Sequence, residues 1–164
     1  SYRGYGNSEG TPGGGGIRED MRALLKWRSE TCPSDKLIAV GHSMGGGIAI
    51  DTVRNHPDLF AKLVVINSFT SLHDLLPEVA PIIKPLLSYM EHNKWASIDK
   101  FDESLRKVEM LFVVGEQDEV IKPYHGKRLH QKALAAGCTA GLVVMPDGRH
   151  NDLGLDKVID FINQ

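Results

Sequence analysis

Strand-type apolar runs alternating with helix-type periodicities predict an α/β fold, a parallel sheet with helices packed on both faces. Three observations carry that expectation. Short runs rich in Val, Ile and Leu recur at residues 37–40, 63–66, 110–114 and 142–145. Helical spacings stand between and beside these runs. The residues that carry chemistry fall just past their C-terminal ends, where an open parallel sheet holds its ligands.

Each element follows from its own residues. The chain opens without Met at Ser1-Tyr2-Arg3-Gly4-Tyr5-Gly6-Asn7-Ser8-Glu9-Gly10, a loop of the kind expected in a piece of something longer. Residues 11–16 form a Pro/Gly stretch. Its four glycines lack the Lys-Ser/Thr of a phosphate cradle, so a flexible connector is expected. Over residues 17–30, Ile17, Met21, Leu24, Leu25 and Trp27 stand at near-helical spacing. Glu19 and Asp20 are expected in that helix's first turn, where its dipole favours acids.

A strand at 37–40 is followed by a helix from Gly45 to Val53 with small residues in its first turn, closed by Asn55-His56-Pro57. After the strand at 63–66 the rhythm breaks over residues 68–107. There Pro77, Pro81 and Pro85 recur among Leu75, Leu76, Val79, Ile82, Ile83, Leu86 and Leu87, and prolines at that density predict short apolar pieces. Val108 resumes the pattern with a strand. A helix over 123–136 stops at Gly137, the last strand is 142–145, and a closing helix is expected over 152–162.

The most informative stretch is Gly41-His42-Ser43-Met44-Gly45-Gly46. A serine between a strand and a helix, with glycines two positions away on each side, sits on a sharp turn that thrusts its hydroxyl over the end of the sheet. Such a nucleophile elbow requires small residues at Gly41 and Gly45. The competing reading is an ordinary glycine-rich turn whose serine caps the helix.

A serine hydroxyl needs a base, and the base needs an orienting acid. Asp118 follows the strand at 110–114, and His150 follows the strand at 142–145. The order Ser43, Asp118, His150 is that of the strand–turn–helix serine enzymes, unlike that of chymotrypsin or subtilisin. Each member has rivals. Glu116 and Glu119 flank Asp118 as alternative acids or solvated charges. His42 adjoins the serine but should point to the other side of its strand, because side chains alternate there. His56 reads as a helix-end residue, and His125 and His130 as part of a solvated helical face. Only His150 follows a late strand in a glycine-containing loop.

The 164 residues suffice for one domain with a real core, and a net charge of −2 offers no footprint for nucleic acid. Cys32 and Cys138 show neither framework nor metal spacing, and no C-x-x-C or H-E-x-x-H occurs. No metal and no cofactor are expected. Pro, Lys or Gly interrupts every apolar stretch before it reaches bilayer length, and no signal peptide is recognisable at Ser1.

These motifs together resemble the α/β-hydrolase superfamily, in particular the bud-emergence branch of serine hydrolases and its membrane-anchored ABHD relatives in animals. The segment from Tyr2 to Gly10 resembles that branch's loop after the fourth strand, and Gly41 to Gly46 its elbow. Asn67-Ser68-Phe69-Thr70-Ser71 resembles the turn after its sixth strand. Trp95-Ala96-Ser97, the stretch from Gly115 to Pro123, and His150-Asn151-Asp152 match as well, so the likeness spans nearly the whole chain.

The resemblance implies a three-layer α/β-hydrolase sandwich with a mostly parallel sheet, N-terminally truncated here to about four strands. Residues 1–164 would be a single partial domain, with 68–107 as a cap- or lid-like insertion or as plain packing on the sheet edge. Met44, next to the nucleophile, would give one backbone N–H to the oxyanion hole. The loop that gives the other donor in the family has no counterpart here. A fragment, a degraded copy, or a sheet completed by another chain would each account for that.

The activity implied is cleavage of an ester, thioester or amide through an acyl-enzyme on Ser43, with a small-molecule ester, lipid or peptide as substrate. Ser rather than Asp at the elbow argues against haloalkane or epoxide hydrolysis, and no histidine begins an HxxxxD acyltransferase motif. The alternative is a weak or inactive hydrolase-fold fragment serving as a binding module. Location stays open between cytoplasmic and membrane-anchored through a segment outside these residues.

Overall fold

The computed structural model describes residues 1–11, 13–32, 35–79 and 95–164. Its helices are α1 (Gly14–Thr31), α2 (Met44–Asn55), α3 (Leu72–Val79), α4 (Pro123–Ala135) and α5 (Asp156–Asn163). Its strands are β1 (Leu37–His42), β2 (Phe60–Ile66), β3 (Glu109–Gly115) and β4 (Ala140–Met145). Pro81, Ile82, Ile83, Pro85, Leu86 and Leu87, part of the proline-rich stretch, lie outside the described residues. Pro77 falls inside α3, which is eight residues long, consistent with short helical pieces there.

The strands form one sheet in the order β1-β2-β3-β4, every pairing parallel. Burial follows from that order. β2 and β3 are central, and in each the side chains of both faces are buried over almost the whole strand, hence their unbroken apolar runs. β1 and β4 are the edges and alternate between partly covered and exposed positions, with Ile38 at 39% and Val40 at 52% exposure.

Two apolar layers sandwich the sheet. On one face Leu63, Val65, Met110 and Phe112 pack against Leu25 of α1, Ile50 and Val53 of α2, and Leu129 and Ala133 of α4. On the other, Val64, Ile66, Leu111 and Val113 meet Val158, Phe161 and Ile162 of α5. The period-two alternation of β2 and β3 thus feeds both layers. Each such side chain taken fully from water stabilises the fold by about 1.5–3 kcal/mol before entropy is counted. A third cluster, Ile17, Ile48, Phe69, Leu72, Leu75, Trp95 and Ile121, ties α1, α2 and the described flanks of 68–107 together.

Two helix starts differ from expectation. α1 begins within the glycine run at Gly14, where Ile17 N–H already donates to the Gly13 carbonyl at 2.8 Å. Burial of Ile17 against Ile48 and Phe69 outweighs the poor helix propensity of glycine. Glu19 and Asp20 therefore lie beyond the first turn, and Asp20 instead receives Arg3 through two guanidinium nitrogens. Leu24 and Trp27 do not face the core; they are 51% and 60% exposed. α5 begins at Asp156 because the Asp152 carbonyl is drawn into the turn of the preceding loop, accepting from Arg149 N–H at 3.0 Å.

Candidate active site

β1 ends at His42 and α2 begins at Met44, leaving Ser43 alone on the turn with φ 55° and ψ −122°. A non-glycine residue held there costs on the order of 1–3 kcal/mol, so its surroundings must impose it. They do so through hydrogen bonds: Ser43 N–H donates to the Ile66 carbonyl at 2.9 Å, and the Ser43 carbonyl accepts from Ser68 Oγ at 2.8 Å and Gly46 N–H at 3.0 Å. A methyl at Gly41 would stand 2.3 Å from the Gly45 carbonyl oxygen, so that glycine is obligatory. Gly45, where the motif asks for a small residue, has room for a methyl, and the next glycine, Gly46, does not. Only Tyr2 Oη, at 4.0 Å, approaches a methyl at Gly45, whereas one at Gly46 would collide with Ser68.

The loops after β3 and β4 bring the other two residues to the same rim. Ser43 Oγ lies 3.1 Å from His150 Nε2, and His150 Nδ1 lies 2.9 Å from Asp118 Oδ2. A carboxylate only accepts, so Nδ1 carries the imidazole proton and Nε2 is left to accept from the serine hydroxyl. Asp118 and His150 are buried and Ser43 is half-buried. Asp118 Oδ1 accepts from Val120 N–H and Ile121 N–H, both at 2.8 Å, which fixes the carboxylate plane. Burial alone would push this carboxyl up, but the bonds from His150 and the two backbone N–H groups outweigh it and hold it below the ordinary carboxylate range.

The rival acids lie elsewhere. Glu116 is exposed and paired with Lys127, and Glu119 is exposed. Met44 is the first residue of α2, so its N–H has no carbonyl partner within the helix.

Two histidines are not where the sequence suggested. His125 is fully buried rather than on a solvated face. Its Nδ1 accepts from Thr70 N–H at 3.3 Å and lies 2.9 Å from Thr70 Oγ1, and its ring stacks on Tyr124. His130 is half-buried, its ring 5.9 Å edge-on from Phe112. His56 caps the end of α2 as expected, donating its N–H to the Thr52 and Val53 carbonyls.

His42, set aside because alternation should turn it away from the serine, in fact meets the His150 loop. Its Nε2 donates to the His150 carbonyl at 2.7 Å, and the two rings lie 4.8 Å apart. The sequence reading also missed Asn67. Buried, with φ 42°, it follows β2 directly and joins the end of β3 to the His150 loop through one side chain. A polar residue directly after the apolar run at 63–66 was the available signal.

Among the described residues no three His, Cys, Asp or Glu side chains gather as metal ligands, and no helix is long and apolar enough to cross a membrane.

With this geometry in place, residues 1–101 match the family model described as serine aminopeptidase, S33. The chain belongs to that family. Curated relatives extend the likeness beyond residue 101. The α/β-hydrolase domain-containing protein WAV2 of Arabidopsis thaliana is 34% identical over 168 residues, covering 94% of this chain and 54% of its own length. Protein bem46 of Schizosaccharomyces pombe is 34% identical over 125 residues, 75% of this chain and 42% of its own. The chain thus spans about half the length of the curated relatives it matches. The solved structure of the Pyrococcus furiosus esterase Pf2001 superposes with a TM-score of 0.72 at 19% identity, over 98% of this chain and 63% of that one. That likeness is one of fold, and the fold is that of the α/β hydrolases.

Proposed function

We propose that this S33-family chain carries a serine hydrolase site that cleaves a carboxylic ester, thioester or amide through an acyl-enzyme on Ser43. The observation that carries the reading is the unbroken relay Asp118–His150–Ser43, with links of 2.9 and 3.1 Å and the proton placed by the buried carboxylate. The family description supports the same class of chemistry.

Ser43 Oγ attacks the substrate carbonyl as His150 Nε2 takes its proton. Asp118 keeps the imidazole in the Nδ1–H tautomer and stabilises the imidazolium that forms. The Met44 N–H, at the positive end of α2, stabilises the developing oxyanion. His150 then returns the proton to the leaving alcohol, thiol or amine. A water, deprotonated by the same Nε2, cleaves the acyl-enzyme and regenerates Ser43. The described flanks of 68–107 are anchored through Phe69, Leu72 and Trp95; residues 80–94, on which the choice between a cap and packing at the sheet edge turns, lie outside the described residues.

Labelling with a fluorophosphonate probe tests the assignment. The protein should react, and Ser43→Ala should abolish the reaction; labelling that survives the substitution removes Ser43 from its role. A binding module that keeps these side chains without turnover is the second reading. An apolar groove of about 320 Å³ between α1 and β1 favours it, and absence of any labelling would be its signature.

A further inference from the structure

The His150 imidazole is tethered at its tip to Ser43 and Asp118, but its base hangs on a loop closed by a separate set of bonds. The His150 carbonyl receives two side-chain donors: His42 Nε2 at 2.7 Å and Asn67 Nδ2 at 3.2 Å. The same Asn67 amide donates to the Arg149 carbonyl at 3.0 Å, while its Oδ1 accepts from Gly115 N–H at 2.8 Å. Asn67 N–H in turn donates to the Val113 carbonyl at 3.0 Å. One buried side chain thus joins the ends of β2 and β3 to the peptide units on both sides of the His150 Cα.

We propose that Asn67 and His42 are positioning residues that clamp the His150 carbonyl and so fix the imidazole within proton-transfer reach of Ser43; this rests on the serine hydrolase reading above. His42 contributes only as a donor, because its acceptor is a carbonyl, so its Nε2 is protonated. Asn67 occupies a left-handed backbone position that Asn and Asp tolerate better than other non-glycine residues. It needs both halves of its amide, since one end meets an N–H and the other meets two carbonyls. A carboxylate there would still accept from Gly115 but would face two carbonyl oxygens with no proton between. Losing the clamp leaves Ser43 and Asp118 in place and lets the imidazole swing, and a misplacement of about 1 Å can cost on the order of 100-fold in rate.

Asn67→Asp, His42→Phe and His42→Gln separate the clamp from general stability. Two readouts are taken: the rate at which a fluorophosphonate phosphonylates Ser43, and the proton resonance of His150 Nδ1–H. Asn67→Asp should slow phosphonylation by about 100-fold and His42→Phe by about 10-fold. Both should broaden the Nδ1–H resonance through faster exchange with water. His42→Gln, which restores a donor, should recover both. Rates and resonance unchanged in Asn67→Asp and His42→Phe would overturn the clamp.

If Asn67→Asp fails to fold, the exposed His42 pair decides alone: a loss in Phe that Gln repairs supports the clamp, and equal behaviour of the two overturns it. If Ser43 of the unaltered protein does not react at all, the hydrolase reading fails by itself. The Nδ1–H resonance then decides the clamp, broadening in His42→Phe and recovering in His42→Gln if it exists, and staying unchanged if it does not.

Discussion

Gly46 and Ser68 are packed so closely that a methyl on Gly46 would stand 2.5 Å from both Cβ and Oγ of Ser68. Ser68 cannot retreat without giving up its 2.8 Å bond to the Ser43 carbonyl, which helps hold the turn. Gly45, one residue earlier, has no such neighbour. Gly45→Ala should therefore be neutral or stabilising by up to about 1 kcal/mol, the ordinary gain of Ala over Gly in a helix. Gly46→Ala should cost about 1–3 kcal/mol through overpacking. Chemical denaturation of the two variants beside the parent measures both, and equal destabilisation would contradict the difference between the sites.

Asp118→Asn presents an amide where the imidazole proton expects a carboxylate, and so favours the wrong tautomer. Phosphonylation of Ser43 should fall by about 10,000-fold, as in comparable triads. Glu116→Gln should leave the rate unchanged, because that carboxylate is exposed and bound to Lys127. Stopped-time probe labelling compares the two, and a large loss in Glu116→Gln would reassign the acid.

Asp51 gives a stability prediction independent of catalysis. Its side chain is 3% exposed, and it receives Arg18 at 2.7 Å and Lys100 at 2.9 Å. Burial pushes the Asp51 carboxyl up, but the two cations outweigh it and hold it below the ordinary range. A carboxyl depressed in the folded state adds stability that is full above its unfolded pKa of about 3.9 and is lost as pH falls toward the folded value. Asp51→Asn should thus cost about 2 kcal/mol at pH 7, with a smaller gap at pH 3. Denaturant titrations at the two pH values check the sign, and a gap that widens in acid would refute it.

A cap over residues 68–107 would select substrates by length. Rates of hydrolysis across a series of soluble esters should rise with acyl chain length if that segment covers the acyl group. A flat profile would favour its alternative role as packing on the sheet edge.

The four strands, their parallel association and the order Ser43, Asp118, His150 were all legible in the chain. Each is written locally: an apolar run has a length, a turn has its glycines, and a polar residue follows a strand end. Long-range packing decided the rest. Asp118, and neither Glu116 nor Glu119, is the carboxylate buried against an imidazole 32 positions away. Gly46 displaces Gly45 as the crowded glycine because Ser68, from the next strand's end, lies over it. His42 and Asn67 reach the His150 loop across separations of 108 and 83 residues, and His125 meets Thr70 across 55. Periodicity reports which side of an element a residue leaves from. It is silent about which distant loop will lie against that side, and hydrogen bonds and close contacts act only between groups the complete fold has brought within a few ångströms.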